Sequence, residues 1–451
     1  MTDARAVEEC VGFLGDLIRI PSVNPPGVPA LAAGRDSSGG EAAAARYCAA
    51  VLDGAGIEAE VIEVAPGRGS CFARLRAAAT SPAAPLILLS HLDVVPVEAE
   101  RWSRDPFGGE IVDGQIWGRG AVDMKDMVAM ELSVMLALRR EAVPLRRDVI
   151  FAALADEEAG GVFGALHLVD RRPDLFASAA RPASAAINEV GGYSMTLGGR
   201  RYYTIQVAEK GIAWTRLRAE GTPGHGSMPG TDNAAVRLAG AVARIASAPR
   251  PPRIVPVVAE FLRRTGLQAA ARDAGALERL VDDPVTRRSI DAMLRDTVSP
   301  NVLRAGTKVN VLPGLAEAEI DVRTLPGTDT TALLAEVQAL AGDGVGVEAV
   351  ITMPPVEWPA DASIVRLMED AVRRADPDGE PVPTMITPGT DAKALAKLGI
   401  PTYGFAPLRL GPDVPFLSLF HGHDERVPLS ALAFGLPVLY DVVSAYATGT
   451  Q

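Results

Sequence analysis

Apolar residues set the first elements. Val7, Val11, Leu14, Leu17 and Ile18 recur at helical spacing, so residues 5–19 are predicted as an amphipathic helix ending before Pro21. The Pro-, Gly- and Ser-rich stretch 21–41 predicts a loop, and residues 41–54 a second helix stopped at Gly54. Three apolar runs of strand length then end in polar side chains. PLILLS (85–90) leads to His91, DVIFAALA (148–155) to Asp156, Glu157 and Glu158, and AAI (185–187) to Asn188 and Glu189. Between the first two, residues 126–141 carry Met127, Met130, Leu132, Met135 and Leu138 on one helical side. Continuous apolar strands alternating with helices predict an α/β fold, a three-layer arrangement with a mostly parallel sheet covered on both faces. Ligands of such sheets gather beyond the carboxyl ends of the strands, which is where these three runs deliver His91, the acids and Glu189.

After residue 201 the pattern changes. RYYTIQVAE and TRLRAEG alternate like half-exposed strands, helical spacing returns at 232–248, and a Pro-rich break covers 249–256. Residues 257–297 read as helical, and KVNVLP and AEAEIDVRTL as strands. The parse is an α+β domain at 202–354 inserted into a first domain made of 1–201 and 355–451. Apolar strand patterning resumes at IPTYGFAPL (400–408), and a closing helix is expected at 429–447.

Composition narrows the function. A length of 451 residues exceeds one ordinary core. The net charge of -12 opposes nucleic-acid binding, which needs a basic face. No apolar run is expected to span a bilayer, and the first twenty residues lack a secretion-type cleavage pattern, so a cytoplasmic location is expected. Cys10, Cys48 and Cys71 are odd in number and widely spaced, which suits buried thiols and not a disulfide framework or a Cys-type zinc site.

The chemistry concentrates where the apolar runs stop. In SHLDVVP, His91 and Asp93 stand two residues apart and point the same way on an extended chain, so Asp93 can orient the imidazole. Asp123, in GRGAVDMKD, precedes a helix and offers two oxygens that can bridge two cations, although alone it reads as a helix N-terminal acid. Three successive acids after a buried strand repel one another unless cations neutralise them. Adjacent side chains diverge, so of Glu157 and Glu158 one can hold a metal while the other serves as general base. Glu189 ends another run, and His421, His423, Asp424 and Glu425 cluster in FHGHDERVP. His167, in the helical GALHLVDRR, reads as structural. Two histidines and three carboxylates suit zinc, with cobalt or manganese as substitutes.

SHLDVVP, GRGAVDMK, LADEEAG, INEVGG, GHGSMP and FHGHDE, in this order, resemble the di-zinc metallopeptidase and amidohydrolase family of aminoacylase, acetylornithine deacetylase, succinyl-diaminopimelate desuccinylase, glutamate carboxypeptidase and carboxypeptidase S. The resemblance implies two zinc ions per subunit. His91 and Glu189 would hold one, Glu158 and His421 the other, and Asp123 would bridge them. Glu157 would be the general base and Asp93 the partner of His91. His421 matches the final ligand better than His423 does, with His423 kept open. The inserted domain would be a lid used for homodimerisation, with His225 of GHGSMP stabilising the oxyanion, commonly in the partner subunit's active site. Asn310, Arg323, Gly389, Thr390 and Lys393 would contact substrate. The implied activity is hydrolysis of an amide bond next to a free carboxylate, as in N-acyl amino acids, with a carboxypeptidase or dipeptidase as the alternative. One departure stands out: Lys393 occupies the place of an arginine in the aminoacylase branch, and an ammonium lacks the guanidinium's bidentate fork.

Two other classes fit less well. A non-catalytic metal binder would not need a spare Glu157 beside a full ligand set. A serine hydrolase would need a G-x-S-x-G elbow, whose spacing GHGSMP lacks.

Overall fold

The computed structural model describes residues 4–24, 40–78, 83–178, 181–273 and 275–449. Most of the predicted loop at 21–41 lies outside the described residues. The chain divides into two compact units. The first comprises Met1–Val207, Trp358–Thr384 and Thr390–Gln451, and the second Ala208–Glu357 with Met385–Gly389.

The first unit is built on a mixed sheet. Its order runs Ala59–Ala65, Arg68–Leu75, Arg147–Leu154, Ala83–His91, Ala185–Asn188 and Thr402–Gly404, then Arg200–Glu209 and Ser194–Leu197. The centre is parallel: Ala83–His91 pairs in parallel with Arg147–Leu154 and with Ala185–Asn188, which pairs in parallel with Thr402–Gly404. The flanks are antiparallel. The expected parallel sheet is therefore the middle of a larger one, to which hairpins add both ends.

Alternation along each strand assigns its two faces. Ile87, Leu89, Ile150 and Ala152 pack with Leu168 and Val169 of helix Ala165–Arg171 and with Leu395. Leu86, Leu88, Val149 and Phe151, also buried, point to the opposite face. That face is covered by helices Lys125–Arg140 and Leu429–Thr448. Burying such a leucine contributes about 1.5–3 kcal/mol, so the central strands, and whatever is attached to their ends, are held firmly.

The closing helix corrects one expectation. Leu429–Thr448 is, by length and composition, long and apolar enough to cross a membrane. Here it is a core helix: Leu432, Leu436, Leu439 and Val443 are buried, and it packs against helices Lys125–Arg140, Ser363–Ala375 and Ala4–Ile18.

The second unit carries a four-stranded antiparallel sheet in the order Thr297–Ala305, Leu315–Thr324, Gly211–Glu220, Val345–Met353. Its core joins Leu217, Ile320 and Val322 to Leu238 and Ile245 of helix Ala234–Ser247 and to Val337 of helix Thr330–Ala341. The side chain of Asn233 accepts the Ala235 and Val236 amides and caps the first of these helices. The predicted helical stretch 257–297 is three helices, Pro256–Thr265, Gly275–Leu280 and Pro284–Met293. The first stops at Gly266, which has a left-handed φ, and the last starts at Pro284 behind the Asp283 cap. Residue 297 already begins a strand, and of KVNVLP only Val311–Leu312 is strand.

Candidate metal centre

His91 is the last residue of its strand and is 1 % exposed. Its Nδ1 lies 3.0 Å from the backbone carbonyl of Asp93 and 3.5 Å from the Asp93 carboxylate. A carbonyl only accepts, so Nδ1 carries a proton, and Nε2 is the nitrogen turned toward the other acids. Nε2 lies 3.2 Å from Asp123 Oδ1 and 3.7 Å from Glu189 Oε2.

Asp123 stands in a turn just before helix Lys125–Arg140, and its peptide bond to Met124 is cis. Its second oxygen, Oδ2, lies 3.2 Å from His421 Nε2, which is also 3.1 Å from Glu158 Oε2. Two groups that could hold a metal ion result, His91–Asp123–Glu189 and Asp123–Glu158–His421, the donor atoms of each within 4.8 Å of one another. One carboxylate faces both imidazoles, and each imidazole is backed by a second carboxylate.

Backbone geometry around these groups is unusual. Asp156, Val190, His421 and Asp424 all have positive φ, between 54° and 70°, although none is glycine. Such conformations cluster at functional sites, where surrounding structure enforces them.

The Asp93 carboxylate does more than orient an imidazole. It accepts the backbone N–H groups of Glu157 and Glu158 at 3.0 and 3.1 Å, and the Asn24 amide at 2.7 Å. Asn24 in turn accepts from the buried Arg68, which pairs with the buried Glu41. One buried acid thus fixes both the histidine and the two glutamates after the neighbouring strand. No pattern in the sequence singled out Asn24, Arg68 or Glu41.

Burial pushes Glu157 well up, Glu189, Glu158 and Asp391 add repulsion, and His91 opposes them. Burial also lifts Glu158 to about 7, with Asp123 adding to the rise. Hydrogen bonds to Asp123 and Glu158 raise His421 to about 10. Burial works against the Asp123 anion, but hydrogen bonds from His421 and His91 hold it well below the carboxylate range. Carboxylates that keep protons on two imidazoles are carboxylates arranged around positive charge. Glu158 Oε1 is buried and has no hydrogen-bond partner. The converging donors, the surplus negative charge and this orphaned oxygen fit divalent cations, with the imidazole and carboxylate donor set that suits zinc.

His423 belongs to neither ligand group. Its Nε2 lies 3.5 Å from Glu98. Thr390 and Lys393 are buried in the first unit, and Thr390 Oγ1 accepts from Asn188 at 3.0 Å. Gly389, His225, Asn310 and Arg323 belong to the second unit. There His225 pairs with Val311, and its Nδ1 accepts the Ser227 amide at 3.1 Å. The carbonyl of Asn310 accepts from Gly226. Arg323 grips Asp321 through Nε and Nη2, and its Nη1 is buried without a partner.

Residues 87–445 match Peptidase family M20/M25/M40. Pig (Sus scrofa) aminoacylase-1 is 29% identical over 410 residues, covering 87% of each chain. The mouse (Mus musculus) N-fatty-acyl-amino acid synthase/hydrolase PM20D1 is 30% identical over 362 residues, 76% of this chain and 70% of its own. Among solved structures, the M20 family metallo-carboxypeptidase Sso-CP2 from Sulfolobus solfataricus superposes with a TM-score of 0.74 at 18% identity, covering 97% of this chain and 99% of that one. With this family match and this set of converging donors, the chain belongs to Peptidase family M20/M25/M40 and is a metal-dependent hydrolase of amide or peptide bonds.

Proposed function

We propose that the protein is a two-zinc hydrolase that cleaves an amide bond next to a free carboxylate, with N-acyl amino acids as the substrate class. The observation that carries this is the placement of Asp123, whose two oxygens each face an imidazole backed by a second carboxylate. His91 and Glu189 would hold one cation, Glu158 and His421 the other, and Asp123 both. Bound there, the cations would polarise the scissile carbonyl and lower the pKa of the attacking water.

The chain supplies the rest. Glu157 takes the proton from the attacking water and returns it to the leaving amine. Asp93 accepts from the Glu157 amide, so the base is aimed through its backbone. The Ser227 amide donates to His225 Nδ1, which leaves the proton on Nε2, a hydrogen-bond donor of the kind an oxyanion requires. Arg323, with Nη1 unpaired, supports a role for the second unit in binding an anionic substrate, together with Asn310 and Gly389. Thr390 and Lys393 complete the substrate contacts in this reading. Homodimerisation through the second unit belongs to it too, as does a reducing, cytoplasmic setting, which suits three free, buried cysteines.

Glu157→Gln tests the assignment. Cation content should stay at the wild-type level while turnover falls by about 10²–10⁴-fold. Undiminished turnover would remove Glu157 as the base. Peptides remain the alternative substrates, because a peptide C-terminus presents the same free carboxylate beside the scissile amide. Steady-state rates on N-acyl amino acids and on dipeptides decide between the two classes.

A further inference from the structure

Asp123 and the loop of His421 come from distant parts of the chain: Glu425, at the end of that loop, is 302 residues from Asp123. Glu425 is fully buried where the two segments meet. Its Oε1 accepts the backbone N–H of Val122 at 2.8 Å and that of Asp123 at 3.2 Å. Its Oε2 accepts from Arg119 Nη1 at 2.6 Å. Arg119, 3% exposed, donates its other arm, Nη2, to the carbonyl of Gly422 at 2.9 Å. Gly422 directly follows His421. The circuit therefore closes from the bridging aspartate through Glu425 and Arg119 back to the neighbour of the histidine, without touching either imidazole.

The two sides of this circuit differ in what else holds them. The Asp123 turn is tied locally, with Lys125 N–H donating to Gly120 and Met127 N–H to Met124. Met124 is itself buried. The His421 side chain is 54% exposed, and its backbone has φ 57°. Core packing does not place that ring; its own contacts with Asp123 and Glu158 are reached only if its loop is held, and the Glu425–Arg119 circuit ties that loop to the Asp123 turn.

We infer that Glu425 and Arg119 are positioning residues that set His421 against Asp123, so that their loss weakens the Asp123–Glu158–His421 cation and leaves the His91 cation in place. This rests on the two-cation reading proposed above. Removing the Glu425 charge frees the loop end and strands the Arg119 guanidinium, whereas His91 keeps its strand and its contact with Asp93.

The test is zinc titration of the full, chelator-stripped chain, with bound metal counted by mass spectrometry and folding followed by circular dichroism. Folded Glu425→Gln should keep one cation at wild-type affinity and bind the second about 10–100-fold more weakly, the range for residues that orient metal ligands. In a His421→Ala background the substitution should add nothing. In a His91→Ala background it should weaken the one remaining cation. Arg119→Lys keeps the positive charge but loses the second arm to Gly422; it should reproduce the selective loss and serves if Glu425→Gln does not fold. Equal weakening of both cations, or unchanged affinity for both, overturns the inference. A wild-type protein that takes up fewer than two cations overturns the two-cation reading itself, so the two failures are told apart.

Discussion

The two imidazoles of the centre are held in opposite ways. His91 ends a strand whose Leu86–Leu89 are fully buried, and its ring proton is fixed by a carbonyl two residues on. His421 sits in a loop, half out in solvent, with a backbone conformation that few non-glycine residues adopt. In the first case the hydrophobic core sets the imidazole, and the polar groups only orient its ring proton. In the second the polar groups carry the positioning: Glu425 and Arg119 bind the loop to the Asp123 turn, and the Asp424 carboxylate accepts from the Ser103 amide and hydroxyl at 2.7 and 2.6 Å. A site can therefore be rigid on one side by burial and on the other by hydrogen bonds.

The contrast can be broken at three depths. Asp123→Ala removes the one group common to both halves. Both cations should be lost from the purified protein, and hydrolysis should fall by more than the ~10²–10⁴-fold that a general base alone supplies. Retention of either cation would show that the halves do not depend on a shared ligand. Asp93→Asn sharpens the comparison from the strand side. It should weaken cation binding about 10–100-fold, with the His91 half affected first, because the amide cannot match the anion as acceptor for the Glu157 and Glu158 N–H groups. Competition with a metal chelator measures this.

The smallest effect is expected at a buried acid that contacts no residue of either ligand group. Burial pushes the Asp376 carboxyl up, but hydrogen bonds from Arg201 and Tyr203 bring it below its usual value. A depressed native pKa gives stability that is complete above the unfolded value near ~4 and is lost as pH falls through the native one. Asp376→Asn should therefore cost about 1.5 kcal/mol at pH 7, the low end for charge-assisted bonds because Arg201 is partly exposed. The gap to wild type should close on acidification, without change in cation affinity at neutral pH. Urea unfolding at pH 7 and pH 3 checks the sign.

Legibility followed the same division. His91 ends its strand, and Glu158 and Glu189 follow theirs within a few residues; they are legible because a buried strand is apolar almost throughout, so the polar cluster after it marks its end. Asp123 and His421 were readable from their motifs, but nothing local showed that they face each other. The Asn24–Arg68–Glu41 chain behind Asp93 left no periodic trace, since it joins a loop, a strand and a helix start. The strand Thr297–Ala305 leaves little trace in the sequence because it lies at a sheet edge with its residues exposed or half-buried, which mutes the apolar alternation. The closing helix, expected at 429–447, runs from Leu429 to Thr448, and it is apolar enough to pass for a membrane span because several helices pack around it.

By itself the sequence determined the α/β layering, the order of the donors along the chain and the identity of the groups that hold charge, because hydrophobic periodicity and side-chain chemistry are local properties. Only the tertiary structure decided that one aspartate faces two histidines, that the Asp93 carbonyl orients the His91 ring proton, and that Glu425 ties the late loop to the early turn. The first and the last bring together segments up to 302 residues apart across the packed core; the second spans two residues and depends on how the chain turns after its strand.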